Sequence, residues 1–268
     1  MSEYFIIAFY GVVIASFLNV VIHRLPLILH QEVDRYVADM SGMTYDASND
    51  VNYMGRSKCP GCGSKISWYQ NIPLISFMFL KGKCGSCKQK ISLRYPAVEL
   101  AGLLGSVGAV WYFGFTLEAI FAFSALMVMV ALSAIDAKHM ILPDSLVLVL
   151  LALGLANEIY VWDAIKLVDR LEGMVLIFCA MYVFRAAMTR IYGQESVGLG
   201  DVKLLTAFAA WMPVYMLLWV VLFGSLMLVI VDRLLRSRRD AEVPFGPWLC
   251  FAALITYFNQ APLYMVMF

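Results

Sequence analysis

The sequence has 268 residues, of which 62% are hydrophobic and only 15% charged, with a mean hydropathy of +0.78. Soluble domains are roughly 45–50% apolar, so this composition excludes an ordinary soluble globular chain and predicts a polytopic membrane protein. The formal net charge of +1 says little about partners, because the charges are segregated by loop, and no nucleic-acid partner is expected.

The first apolar run, YFIIAFYGVVIASFLNVVIHRLP, follows Glu3 and is itself closed by His23 and Arg24. A signal peptide carries basic residues before its apolar core, not after it. The run is therefore expected to be retained as a first helix over 4–24 that enters the cytoplasm at its C-terminal end. Asn19 lies within it, a polar group that either hydrogen-bonds to a neighbouring helix or lines a substrate path.

Residues 25–95 form the only large polar region. There Cys59-Pro-Gly-Cys62 and Cys84-Gly-Ser-Cys87 make the pattern C-x2-C-x21-C-x2-C. Two such pairs suit tetrahedral zinc, and with all four positions taken by thiolates the ion is structural. Disulfides disagree with a reducing cytoplasm. A redox pair needs only one CxxC on a thioredoxin-like fold, which this region is too short to build. Trp68, Tyr69 and the IPLISF run are read as anchors against the membrane surface, where Trp and Tyr concentrate.

Seven more apolar segments are expected near 96–114, 117–137, 140–159, 171–191, 200–212, 214–234 and 247–267, giving about eight transmembrane helices in an all-α protein. Glu99 sits in the second of the eight, Cys179 in the fifth and Cys250 in the eighth; the cysteines are expected to be inert core residues. Pro213 marks a turn and Pro247 a helix start. The sixth segment is short and opens at Gly198-Leu199-Gly200-Asp201, so its first turn must be buried in protein or face a watery cavity. No internal repeat is evident.

With the N-terminus outside, 18 of the 20 Lys and Arg fall on inside loops or helix ends, including the cluster Arg233, Arg236, Arg238 and Arg239; only Lys166 and Arg170 fall outside. The positive-inside rule then places both termini outside and the 25–95 region in the cytoplasm. Attraction to anionic lipid is a secondary role for the arginine cluster.

This topology brings two aspartates to one membrane face: Asp136, at the end of the third segment in SAIDAKHMILPD, and Asp201, at the start of the sixth. Charges inside membrane segments are expensive and mark functional sites. Of two carboxylates held close, one keeps a proton while the other stays charged, which suits one to activate water and the other to protonate a leaving amine. Gly198 and Gly200 leave room for a substrate strand. Asp144 and Lys203 are read as supporting the site. The plainer alternatives are that Asp201 only caps its helix and that Asp136 only marks the interface near Lys138. His139 alone does not make a catalytic metal site, since no HExxH motif accompanies it.

In SFLNVVIHRLP, in the stretch from RSKCPGCGSK to LRYPAVEL, in IDAKHMILPD and in GLGDVKLL, the chain resembles the bacterial type IV prepilin peptidases, bifunctional leader peptidases and N-methyltransferases of the GxGD aspartyl protease class. The resemblance implies catalytic roles for Asp136 and Asp201 and zinc ligation by Cys59, Cys62, Cys84 and Cys87. It implies cleavage of type IV prepilins or type II secretion pseudopilins after a leader glycine, at the cytoplasmic face of the inner membrane. It also implies S-adenosylmethionine-dependent methylation of the new N-terminal residue. No GxGxxG fingerprint locates the methyl donor; Gly82 and Lys83, beside the third cysteine, are the candidate contact, the alternative being an ordinary turn.

The chain is accordingly expected to divide into a first helix (1–24), a zinc-binding insertion (25–95) and a seven-helix protease core (96–268). One rival reading is a proton-coupled transporter using buried carboxylates. Another is a non-enzymatic assembly factor docking through its zinc domain.

Overall fold

A computed structural model describes residues 2–47, 50–51, 55, 57–59, 61–161, 164–193, 197–235 and 243–267. Arg236, Arg238, Arg239 and the Trp68 side chain lie outside the described residues. Nine α-helices are described: α1 Ser2–Met40, α2 Ile75–Phe79, α3 Arg94–Phe113, α4 Leu117–His139, α5 Asp144–Val161, α6 Ala164–Tyr192, α7 Leu199–Ala209, α8 Val214–Leu235 and α9 Gly246–Met267. Six of them, α1, α3, α4, α5, α6 and α8, are long and apolar enough to cross a membrane. The chain forms two compact units, Met1–Tyr112 and Phe113–Phe268.

In the first unit, α1 does not stop at residue 24. It runs for 39 residues, through Pro26, about 58 Å at 1.5 Å per residue, far more than a bilayer needs. Proline removes only its own N–H from the ladder, and the glycine-free stretch from Leu27 to Met40 sustains the helix beyond it. α1 and α3 cross with their backbones in contact. A Cβ on Gly11 would strike Ser106 and the Gly102 carbonyl, and one on Gly102 would strike Ala15. Small residues at such crossings let membrane helices gain van der Waals contact that lipid cannot offer. Asn19 Nδ2 donates to the Tyr95 carbonyl at 3.1 Å across the same seam, which fixes it as an interhelical bond. Glu99, buried in α3, accepts the Leu74 backbone N–H at 2.7 Å.

The second unit is built around α7. Its residues Val202, Leu204, Leu205, Ala207, Phe208 and Ala209 are buried, and it packs against α5, α6, α8 and α9. At 11 residues it is about 16 Å long and cannot span a bilayer alone, so neighbouring helices must shield its ends. Trp211, just past α7, donates Nε1–H to the Leu150 carbonyl at 2.9 Å. It fits because Gly154 opposite has no side chain: a Cβ there would lie 2.7 Å from the indole nitrogen.

The helix ends explain several boundary shifts. Thr116 caps α4 by accepting the Ala119 N–H, and Met140 closes the same helix in a left-handed conformation, φ 54°. Residues 140–143 are therefore a connector, and α5 begins at Asp144 rather than 140. α6 begins at Ala164, seven residues before the expected 171. Its buried stripe includes Arg170, Gly173 and Ile177, with Cys179 on the opposite, exposed face. Cys179 is thus not a core residue, whereas Cys250 is buried.

Candidate active site and zinc centre

Asp136 occupies the last turn of α4 and Asp201 the first turn of α7. Asp136 is only 6% exposed, and its Oδ2 accepts the Gly246 backbone N–H at 2.9 Å. That donor is the first residue of α9, so a helix N-terminus with its free N–H groups points at the carboxylate. Asp201 reaches back to the backbone of Gly198, which caps its own helix. Asp136 lies near enough for its charge to bear on Asp201, and each carboxylate meets a helix N-terminus.

The surrounding residues narrow this corner. A Cβ on Gly246 would lie 2.8 Å from Asp136 Oδ2, and one on Gly200 would lie 3.2 Å from Leu142, which also borders Gly246. Both glycines are therefore spaces that Asp136 and Leu142 fill. Lys203 Nζ donates to both oxygens of Asp144 at 2.8 Å. This exposed pair joins the start of α5 to α7 beside Asp201. Arg185 of α6 donates Nε–H to the Val197 carbonyl at 3.0 Å, tethering the chain just before Gly198. Cys250, buried in α9, lies near Ser133 and the two aspartates. Gly246, Leu142 and Arg185 were not singled out from the sequence. Pro247 did signal a helix start, but nothing in it told which side chain that start would face.

At the other end of α5, Arg170 donates to Glu158 at 2.8 Å in a buried ion pair. Glu118, in the first turn of α4, is a second carboxyl group near Glu158.

The four cysteines converge in the first unit. Their sulfurs all lie within 4.8 Å of one another, and Cys59 Sγ is 3.9 Å from Cys87 Sγ. Zn–S bonds of about 2.3 Å in a tetrahedron separate sulfurs by about 3.8 Å, so the set fits zinc. The electrostatics agree. Backbone N–H groups of Cys87 and Ser86 hold the Cys84 thiol down to about 6. Against the Gln89 N–H, burial and the three other thiols push Cys87 up to about 11. Four sulfurs this close need a cation before all can ionise.

The two pairs are also copies of one turn. Cys59 N–H donates to the Ser64 carbonyl, Gly63 to Cys59 and Ile66 to Ser57; 25 residues on, Cys84 donates to Gln89, Lys88 to Cys84 and Ile91 to Gly82. Antiparallel bridges Lys58–Lys65 and Lys83–Lys90 close the two turns. This corrects the expectation of no internal repeat: K-C-x2-C-x2-K-I-S occurs at 58–67 and 83–92. Ten residues with four variable positions are easily overlooked in a chain dominated by apolar runs. Gly82 takes a left-handed φ of 67°. Its N–H donates to the Phe77 carbonyl and its carbonyl accepts from Ile91, so its backbone polar groups serve the turn. The Lys83 side chain is exposed.

The chain can be set beside known proteins on these grounds. The bacterial peptidase A24 N-terminal domain matches residues 9–113, and the type IV leader peptidase family matches residues 123–231. A prepilin leader peptidase/N-methyltransferase of Pseudomonas aeruginosa is 38% identical over 253 residues, covering 91% of this chain and 86% of that protein. One from Stutzerimonas stutzeri is 37% identical with the same coverage. Another from Legionella pneumophila is 34% identical over 264 residues, 95% of this chain and 91% of its own. No solved structure matches. A multi-pass helical chain whose two halves match the two domains of these enzymes in order belongs to the prepilin leader peptidase/N-methyltransferase family.

Proposed function

We propose that this protein is an inner-membrane leader peptidase that cleaves prepilins or pseudopilins and methylates the new N-terminus, with Asp136 and Asp201 as the catalytic pair. The observation that carries the reading is the meeting of two carboxylates at two helix N-termini, in a family whose named members carry out both reactions. One aspartate takes a proton from water as the oxygen attacks the scissile carbonyl. The other gives a proton to the departing amine as the tetrahedral intermediate collapses. The partial positive charge of the α7 and α9 N-termini favours the anion shared by the pair. Gly198 and Gly200 give the substrate backbone access, while the Lys203–Asp144 pair holds the start of α7 in register with α5.

The zinc, held by Cys59, Cys62, Cys84 and Cys87, pins two turns together and supplies no reaction step. S-adenosylmethionine supplies an electrophilic methyl group to the free amine that cleavage creates. We assign its contact to Gly82–Lys83, where the exposed ammonium of Lys83 answers a carboxylate. The functional division we propose is a membrane segment over 1–24, whose helix continues to Met40, a zinc-bearing insertion over 25–95 on the cytoplasmic side and a protease core over 96–268, with both termini outside. No observation favours the transporter or the assembly-factor reading.

The test is mass spectrometry of a membrane-embedded prepilin exposed to wild type, Asp136→Asn and Asp201→Asn, scoring leader loss and methyl gain separately. Pre-cleaved substrate isolates the second reaction. Both variants should lose cleavage and keep methylation; cleavage by both single variants would remove the dyad. Loss of methylation alone in Lys83→Gln would support the donor contact, and unchanged methylation would remove it.

A further inference from the structure

Between Val51 and Val98 the sequence holds eight Lys and Arg and not one Asp or Glu. Even with a tetrathiolate zinc centre contributing −2, that stretch keeps about +6. Within it α2 presents Ile75, Met78 and Phe79 at 53%, 75% and 84% exposure, which is unusual for a short helix in a small polar module. Apolar side chains this open on a strongly basic body call for a surface that is apolar and anionic together.

The position of α2 says which surface. Its N-cap, Leu74, holds a left-handed φ of 59° and gives its N–H to Glu99. Glu99 is the sixth residue of α3, about 8 Å along the axis from Arg94, where that helix passes from the polar region into its apolar run. The hydrogen bond therefore sets α2 beside the first turns of α3, a helix long and apolar enough to cross a membrane. We propose that the zinc-bearing module lies on the anionic lipid of the bilayer that holds it, with Ile75, Met78 and Phe79 at the headgroup–acyl boundary and Lys65, Lys81 and Lys88 against the headgroups. Apolar anchors and basic side chains are the two attractions that seat amphipathic segments there, and the Leu74–Glu99 bond fixes the depth. This goes beyond the anchoring expected for Trp68, Tyr69 and IPLISF by requiring anionic headgroups.

The experiment uses the full-length protein with benzoyl-phenylalanine at position 79, or at the exposed Gln89 of the second zinc turn as comparison. Each is placed in nanodiscs of phosphatidylcholine alone or mixed with phosphatidylglycerol, irradiated, and weighed intact. Lipid adducts are expected at 79 and not at 89. Phosphatidylglycerol should exceed its share of the bilayer by about threefold or more. High salt should erase that enrichment, as should Lys65→Gln with Lys81→Gln and Lys88→Gln. Zinc content is measured on each sample; should the triple variant lose zinc, the salt comparison on the wild-type lysines carries the test. Equal lipid labelling at 79 and 89, no preference for the anionic lipid, or adducts to co-reconstituted prepilin in place of lipid would overturn the proposal.

Discussion

Gly246 shows how one backbone N–H can govern a side chain 110 residues away. Its donation to Asp136 Oδ2 needs the carboxylate to sit where a Cβ would otherwise be. Gly246→Ala should push Asp136 aside and lower kcat for cleavage by about 100-fold, the order expected for a displacement near 1 Å. KM should change little, and methylation of pre-cleaved substrate should persist; equal loss of both reactions would mean general misfolding. Lys88 offers the opposite case. It adopts φ 62° where the matching turn has Gly63 at φ 68°. Left-handed backbone disfavours a Cβ by about 1–2 kcal/mol, so Lys88→Gly should stabilise the zinc module by about 1 kcal/mol. Hydrogen exchange across residues 82–92 measures it, and faster exchange in the variant would refute it.

At the scale of elements, α7 is the piece that propensity and hydropathy describe least. It is too short to span and too buried to face lipid, and it is fixed by what surrounds it. The Trp211 indole in the gap left by Gly154 is one such constraint. Filling that gap with Gly154→Val should cost about 1–3 kcal/mol by overpacking, read as a lower midpoint of thermal unfolding in detergent. The Glu158–Arg170 pair ties the end of α5 to the start of α6. Removing one member of a buried pair strands the other, at about 3–5 kcal/mol. Arg170→Ala should therefore lose several degrees of stability, while Arg170→Met with Glu158→Gln should recover most of it. If the double variant is no better than the single, the pair is not the source of the loss.

At the scale of the whole molecule, the cysteine turns lie in one compact unit and the aspartates in the other. Cys59→Ser should lose zinc, seen by native mass spectrometry, and raise hydrogen exchange across residues 57–92. α4 to α9 should keep their protection, and loss of protection throughout would show that the metal holds the entire chain. The sequence by itself determined the membrane class, since so apolar a chain is unlike soluble domains, and the four-cysteine cluster, since ligand spacing is a local property. It also singled out Asp136 and Asp201, because a carboxylate in or at the end of an apolar helix is costly. It did not reveal the length of α1, because apolar runs mark where a helix is greasy and not where it ends. The cysteine-turn repeat is written in the sequence, as K-C-x2-C-x2-K-I-S, but with four variable positions in ten it is evident only from the matching hydrogen bonds of the two turns. Only the tertiary structure decided that Gly246 faces Asp136, that Glu99 holds Leu74 and that Lys203 answers Asp144. Each joins residues far apart in the chain, and partner choice at that distance depends on how helices pack, which no local pattern of residues encodes.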